Sequence, residues 1–178
     1  MKKKPAAAQT RLLFPKQVEA DARFEKLQNF LRQHSEKLWP GSNVLVPAAA
    51  FSDSIKAALV AARDSDRLSR GLESIERILE NEANGLALVD KKTGEKRVQR
   101  ISRLLIMSND CVDRFNRKVE SLLREHGQRV MALRISAGAQ QLGEAILGPE
   151  KAVKLLLVEH KEDVAAVLLA LLEPAPAT

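Results

Sequence analysis

The 178-residue chain is poor in the residues that usually announce chemistry: one cysteine, three histidines, no tyrosine, and aromatics at 3%. One cysteine excludes a disulfide framework and a cysteine-based zinc site. Three histidines leave no room for a rich histidine cluster. With five phenylalanines and one tryptophan, platforms for stacking nucleic-acid bases are few. The longest apolar runs, such as 164–172, fall far short of the ~20 residues of a membrane helix. Three lysines open the chain, but no apolar stretch of about 7–15 residues follows, as a secretory leader needs. The expectation is a cytoplasmic protein without membrane contact. Neither G-x-G-x-x-G nor a P-loop occurs, and no cofactor is expected.

What is present is a core and a positive charge. Hydrophobic residues make up 45% of the chain, too many for a disordered protein, and the net charge is +6. The charge is uneven: residues 1–85 carry +3, residues 86–135 carry +6, and residues 136–178 carry −3. The middle excess comes from Lys91, Lys92, Lys96, Arg97, Arg100, Arg103, Arg114, Arg117, Lys118 and Arg124. Such a cluster suits phosphate contacts, or a solvated basic face.

Periodicity gives the organisation. Residues 1–15 read as a basic tail and 173–178 as a Pro/Ala-rich one. Residues 16–46 read as an N-terminal appendage. In it, Val18, Ala22, Leu27, Phe30, Leu31 and Leu38 repeat at helical spacing up to the stop at Trp39-Pro40-Gly41. The main domain spans 50–172. Ser52 caps a first helix running to about Arg63. Leu68, Leu72, Ile75, Ile78 and Leu79 write a second, closed by Asn84-Gly85. Leu86–Val89, the turn-like 90–94 and the alternating 96–101 predict a β-hairpin over 86–101. From Arg103 onward strand and helix alternate. Strands at 104–107, 129–135 and 152–158 are each followed by a helix. The fold class is therefore α/β: a three-layer α/β/α sandwich on a mainly parallel sheet, with an inserted β-hairpin and an N-terminal helix.

Catalytic groupings are sparse. Asp110 and Cys111 follow a strand's carboxyl end, where open α/β sheets place ligands. A nucleophile there needs a base in reach. His126 lies at the far end of the next helix, roughly 20 Å away at ~1.5 Å per residue. His160 ends another strand on the same edge as Asp110, which places it within reach. Plainer roles also fit these residues: Asp110 as a helix cap, Cys111 as a small hydrophobe. The acidic pair of a phosphate-accepting receiver domain is missing. Gly143 interrupts a helix at a cost of about 1 kcal/mol against alanine, which close packing would explain.

Residues 118–160, KVESLLREHGQRVMALRISAGAQQLGEAILGPEKAVKLLLVEH, carry a resemblance. The strand closing on Asp110, the helix stopped at Gly127, the strand 130–135, the helix with Gln141-Leu142-Gly143-Glu144-Ala145 and Gly148, then Lys151 and 153–158, follow one order. It resembles that of the kink-turn-binding ribosomal protein superfamily, which also includes the last domain of pelota and the eukaryotic-type release factors. The match covers about 103–172. In that family a Gly-Thr/Asn-Asn-Glu signature opens a helix on the RNA, and the loop before the last strand helps grip a flipped nucleotide. The counterparts here are Arg70-Gly71-Leu72-Glu73, without the Asn, and Gly148-Pro149-Glu150-Lys151, one residue longer. The resemblance implies a non-enzymatic RNA- or ribosome-associated binding protein. Candidate contacts are Arg70, Gly71, Glu73, Arg97, Arg100, Arg103, Arg114, Lys118 and Lys151. The alternative is a protein-interaction module that docks or self-associates through 16–38.

Overall fold

The structure, a computed structural model, describes residues 12–95 and 97–173. Its elements in chain order are α1 (Lys16–Glu19), α2 (Phe24–Gln33), β1 (Ser35–Lys37), β2 (Leu45–Ala49), α3 (Asp53–Asp64), β3 (Leu68–Arg70), α4 (Leu72–Thr93), β4 (Arg103–Met107), α5 (Asp113–His126), β5 (Val130–Ile135), α6 (Ala139–Leu147), β6 (Leu155–Val158) and α7 (Lys161–Ala170). They form one mixed sheet ordered β1-β2-β5-β4-β6-β3, with helices on both faces: an α/β fold. The centre, β2-β5-β4, is parallel. β6 runs antiparallel to β4 and to β3, and β1 antiparallel to β2.

The central strands are apolar on both sides because both sides are covered. In β4, Leu104 and Ile106 enter the core beneath α3, α6 and α7, and Leu105 and Met107 enter the one beneath α4 and α5. β6 divides in the same way, Leu156 and Val158 against Leu155 and Leu157. The chain leaves β4 for α5 on one face and β5 for α6 on the other. The sheet end holding the carboxyl ends of β2, β4 and β5 is therefore a topological switch point. We call it the upper edge. Among the described residues no helix is long and apolar enough to cross a membrane.

The N-terminal segment is a wall of the domain. Val18, Leu27 and Leu31 are buried in the core with α3 and α7. The apolar stripe expected over 16–38 as a docking face is thus turned inward. It is also broken: Asp21 accepts the Arg23 backbone N–H at 2.8 Å and the Arg23 guanidinium at 3.0 Å, which interrupts the helix between α1 and α2.

The largest correction is the hairpin over 86–101, which does not form. Leu86–Val89 belong to α4, which runs through Gly85 and ends at Gly94. Gly94 is the left-handed cap (φ 67°), its N–H bonded to the Asp90 carbonyl at 2.9 Å, with Lys91 and Lys92 favourably placed in the last turn. The turn-like 90–94 is the end of a helix, and 97–100 form no strand. Lys96 lies outside the described residues. Leu68 likewise lies in β3, preceded by a turn with Asp66 at φ 55°.

Candidate nucleic-acid interface

At the upper edge two segments are held side by side. One is the β3–α4 turn, Arg70 to Glu73. Gly71 stands there at φ 84°, ψ 141°, a backbone open to glycine and strained for other residues. No side chain caps the N-terminus of α4. The Gly71 N–H donates to the Leu155 carbonyl at 3.1 Å, which fastens the turn to the start of β6.

The other segment is the loop 148–154 that leads into β6. Gly148 (φ 109°) and Glu150 (φ 61°) reverse the chain. The Val153 N–H donates to the Ala139 carbonyl at 2.9 Å, and the Ser108 N–H to the Lys154 carbonyl at 3.0 Å. Gly143 of α6 makes the close approach possible. A Cβ there would fall 2.6 Å from the Ala152 Cα and would collide with the Lys151 carbonyl. The mid-helix glycine is therefore explained by close packing, and its neighbour is this loop.

The side chains around this junction are cationic and uncommitted. Arg70, Arg114, Lys118, Lys151 and Lys154 are exposed, and none has a carboxylate within 4.0 Å among the described residues. Lys154 Nζ stands 5.8 Å from the centre of the Phe115 ring, within cation–π range. Arg117 lies over Trp39. Lys154 is not among the contacts expected from the sequence. Its signal is an exposed lysine between two buried residues, Val153 and Leu155, at the mouth of a strand.

Arg97, Arg100 and Arg103 are elsewhere. Arg103 begins β4 at the lower edge, where its guanidinium meets Glu82 at 2.9 Å, and Arg129 pairs with the same carboxylate. Burial works against charge on Glu82, but hydrogen bonds from Arg103 and Arg129 outweigh it and hold the carboxyl below its ordinary range. Arg100 donates to Glu19 and to the Phe14 carbonyl, each at 2.9 Å. Arg97 pairs with Asp90 at 3.3 Å. The expected binding set is split: Arg70, Gly71 and Glu73 lie on the turn fastened to Leu155, Lys151 lies on the loop that leads to Leu155, Arg114 and Lys118 lie on the first turns of α5, which starts from the same edge, and the other three arginines are paired with carboxylates.

Two members of the candidate chemical group, Asp110 and His160, are helix caps. The Asp110 carboxylate accepts the Ala139 N–H at 3.0 and 3.1 Å, at the head of α6, and the Ser108 hydroxyl at 2.7 Å. These bonds, led by that from Ala139, hold its carboxyl below the usual range. Burial pushes the Cys111 thiol up, the reverse of what a nucleophile needs. His160 does not share this edge. Because β6 is antiparallel to β4, it lies at the lower one, where its ring accepts the Glu162 N–H at 3.3 Å at the start of α7. Among the described residues, no three His, Cys, Asp or Glu side chains converge as a metal site.

No family model matches the chain, and no curated protein matches it. Among solved structures it is similar to a protein of unknown function from Bacillus halodurans, at 17% identity and a TM-score of 0.46. The likeness covers 68% of this chain and 99% of the other. It assigns no role to the upper edge.

Proposed function

We propose that this chain is a non-enzymatic RNA- or ribosome-associated binding protein that receives RNA on its upper edge. The observation that carries the reading is the junction itself. An uncapped helix start behind a glycine turn is pinned beside the β6 entry loop, and the cations around both have no carboxylate within ion-pair distance among the described residues. Backbone N–H groups at a helix start favour an anion, and free lysine and arginine side chains release counterions when they meet phosphates. The two segments are also those through which the resembled superfamily engages RNA. With few aromatic platforms on the edge, phosphate and backbone contacts supply most of the affinity, and the shape of a structured RNA supplies selection.

The test is fluorescence anisotropy with a structured RNA containing an internal loop, followed across a salt series. Affinity falls steeply with salt in the wild-type chain. The R70E/K151E/K154E variant loses binding and flattens the log–log salt slope by about 2–3 units, one for each lost contact. The R97E/R100E variant keeps its RNA affinity and loses stability. Salt-independent binding, or equal loss of affinity in both variants, overturns the reading.

A further inference from the structure

Half of α4 stands off the domain. Its 22 residues span about 33 Å at ~1.5 Å per residue, yet its buried positions are Ile75 and Leu79. Glu82 is tied to the sheet by Arg103 and Arg129; beyond it, among the described residues, the one ion pair of α4 is that of Asp90 with Arg97 on the returning segment. Beyond Glu82, Leu86-Ala87-Leu88-Val89 places apolar side chains all around the helix. Leu88 is 62% exposed and Val89 37%, and Val98, on the returning segment, is 73% exposed. A helix that is apolar on every side is normally covered.

Asn81, Gly85, Leu88 and Lys92 follow at helical spacing along one stripe, and all are exposed. Gly85 weakens the helix relative to alanine. Nothing among the described residues repays this, since a Cβ there would meet none of their atoms within 4 Å. Gly143 shows the contrast, its Cβ position being filled by a neighbouring segment. One turn beyond the hollow at Gly85 stands a projecting leucine, so the stripe is complementary to itself.

We infer that the projecting half of α4 pairs with the same segment of a second copy, antiparallel about a two-fold axis passing between positions 86 and 87. That register sets Leu88 of each copy into the hollow over Gly85 of the other. It also matches charge. The outward residues of the first half of α4 are mostly acidic, Glu73, Glu76 and Glu80 against Arg77, and the last turn holds Lys91 and Lys92. Antiparallel pairing lays Glu80 of one copy beside Lys91 and Lys92 of the other. A parallel pair would lay like on like. Asp90, the acidic residue of the last turn, is already paired with Arg97 and does not spoil the match. The interface is isologous, as closed dimers require.

The test is sedimentation equilibrium of the full chain over a wide concentration range. The weight-average mass of the wild type rises from one chain toward two. Leu88→Glu raises the dimer dissociation constant by about tenfold or more. Gly85→Leu fills the hollow and also keeps the chain single, while its thermal midpoint rises because leucine favours the helix. That opposite movement separates loss of pairing from loss of folding. Glu80→Lys weakens the dimer, and combining it with K91E/K92E restores it. A wild type that stays single at every concentration overturns the inference, as does a dimer indifferent to both Leu88→Glu and Gly85→Leu. A single-chain wild type whose RNA affinity falls with Leu88→Glu would also overturn it, making the arm a nucleic-acid contact.

Discussion

The two edges of the sheet use positive charge in opposite ways. At the lower edge Arg103 and Arg129 converge on Glu82, and Arg100 ties the return from α4 to Glu19 and the Phe14 carbonyl. These cations are spent inside the molecule. At the upper edge Arg70, Lys151 and Lys154 surround a junction and meet no carboxylate among the described residues within ion-pair distance. Charge density along the sequence therefore does not by itself locate available charge: Arg97, Arg100 and Arg103 of the basic middle are paired, whereas Arg114 and Lys118 of the same segment have no such pairing among the described residues. Net charge measures attraction at long range, but contact depends on whether a side chain already has a partner.

The sharpest way to break this contrast is Glu82→Gln. It leaves Arg103 and the buried Arg129 facing each other without their shared counter-charge. The expected loss is roughly 2–3 kcal/mol of stability, measured by urea unfolding, with RNA affinity unchanged. A stability within error of wild type would mean that the lower-edge ions are merely adjacent. An equal fall in RNA affinity of the folded variant would mean that the two edges are not independent.

Gly143→Ala acts next, and on the upper edge. The added Cβ meets the backbone at 151–152, not a flexible side chain, so the β6 entry loop has to move. Overpacking of this kind costs about 1–3 kcal/mol. Because the loop carries Lys151 and Lys154, RNA affinity falls together with stability, whereas Glu82→Gln lowers stability alone. Unchanged affinity in a destabilised Gly143→Ala protein would show that the loop's position does not matter to binding.

What the sequence disclosed about these edges follows from the range of each interaction. β4, β5, α5 and α6 were legible because burial on both faces or on one stripe writes itself into neighbouring residues. Gly143 was legible as a closely packed position, although its partner was not. The extent of α4 was misread for a local reason. Asn84-Gly85 has the chemistry of a helix stop, but a glycine penalty of about 1 kcal/mol is small against continuing the helix to a better left-handed cap at Gly94. The direction of β6 was hidden because a buried strand reads the same whether it runs parallel or antiparallel, and that direction moved His160 away from Asp110. The fate of the arginines was hidden by distance along the chain. Glu82 lies 21 residues from Arg103 and 47 from Arg129, and Glu19 lies 81 from Arg100. Pairing of that kind is decided only once topology has brought the segments together.

The smallest expected effect isolates the electrostatics of the upper edge. Asp110 caps α6, and its carboxyl titrates below the ordinary aspartate value of 3.8. A group whose folded value is depressed contributes stability that is complete above its unfolded value and is lost as pH falls through the folded one. Asp110→Asn keeps a side chain able to accept from Ala139 but removes the charge. At neutral pH the variant is expected to be less stable by about 0.5 kcal/mol, the scale of a charge at an exposed helix start. The gap between variant and wild type closes in acid, below the folded value of Asp110. The same carboxylate attracts Lys154, which contributes to holding its proton off. Removing the charge therefore leaves Lys154 freer for phosphate, so RNA affinity rises slightly even as stability falls. A fall in affinity instead would place Asp110 among the groups that shape the binding edge, beyond its role as a cap.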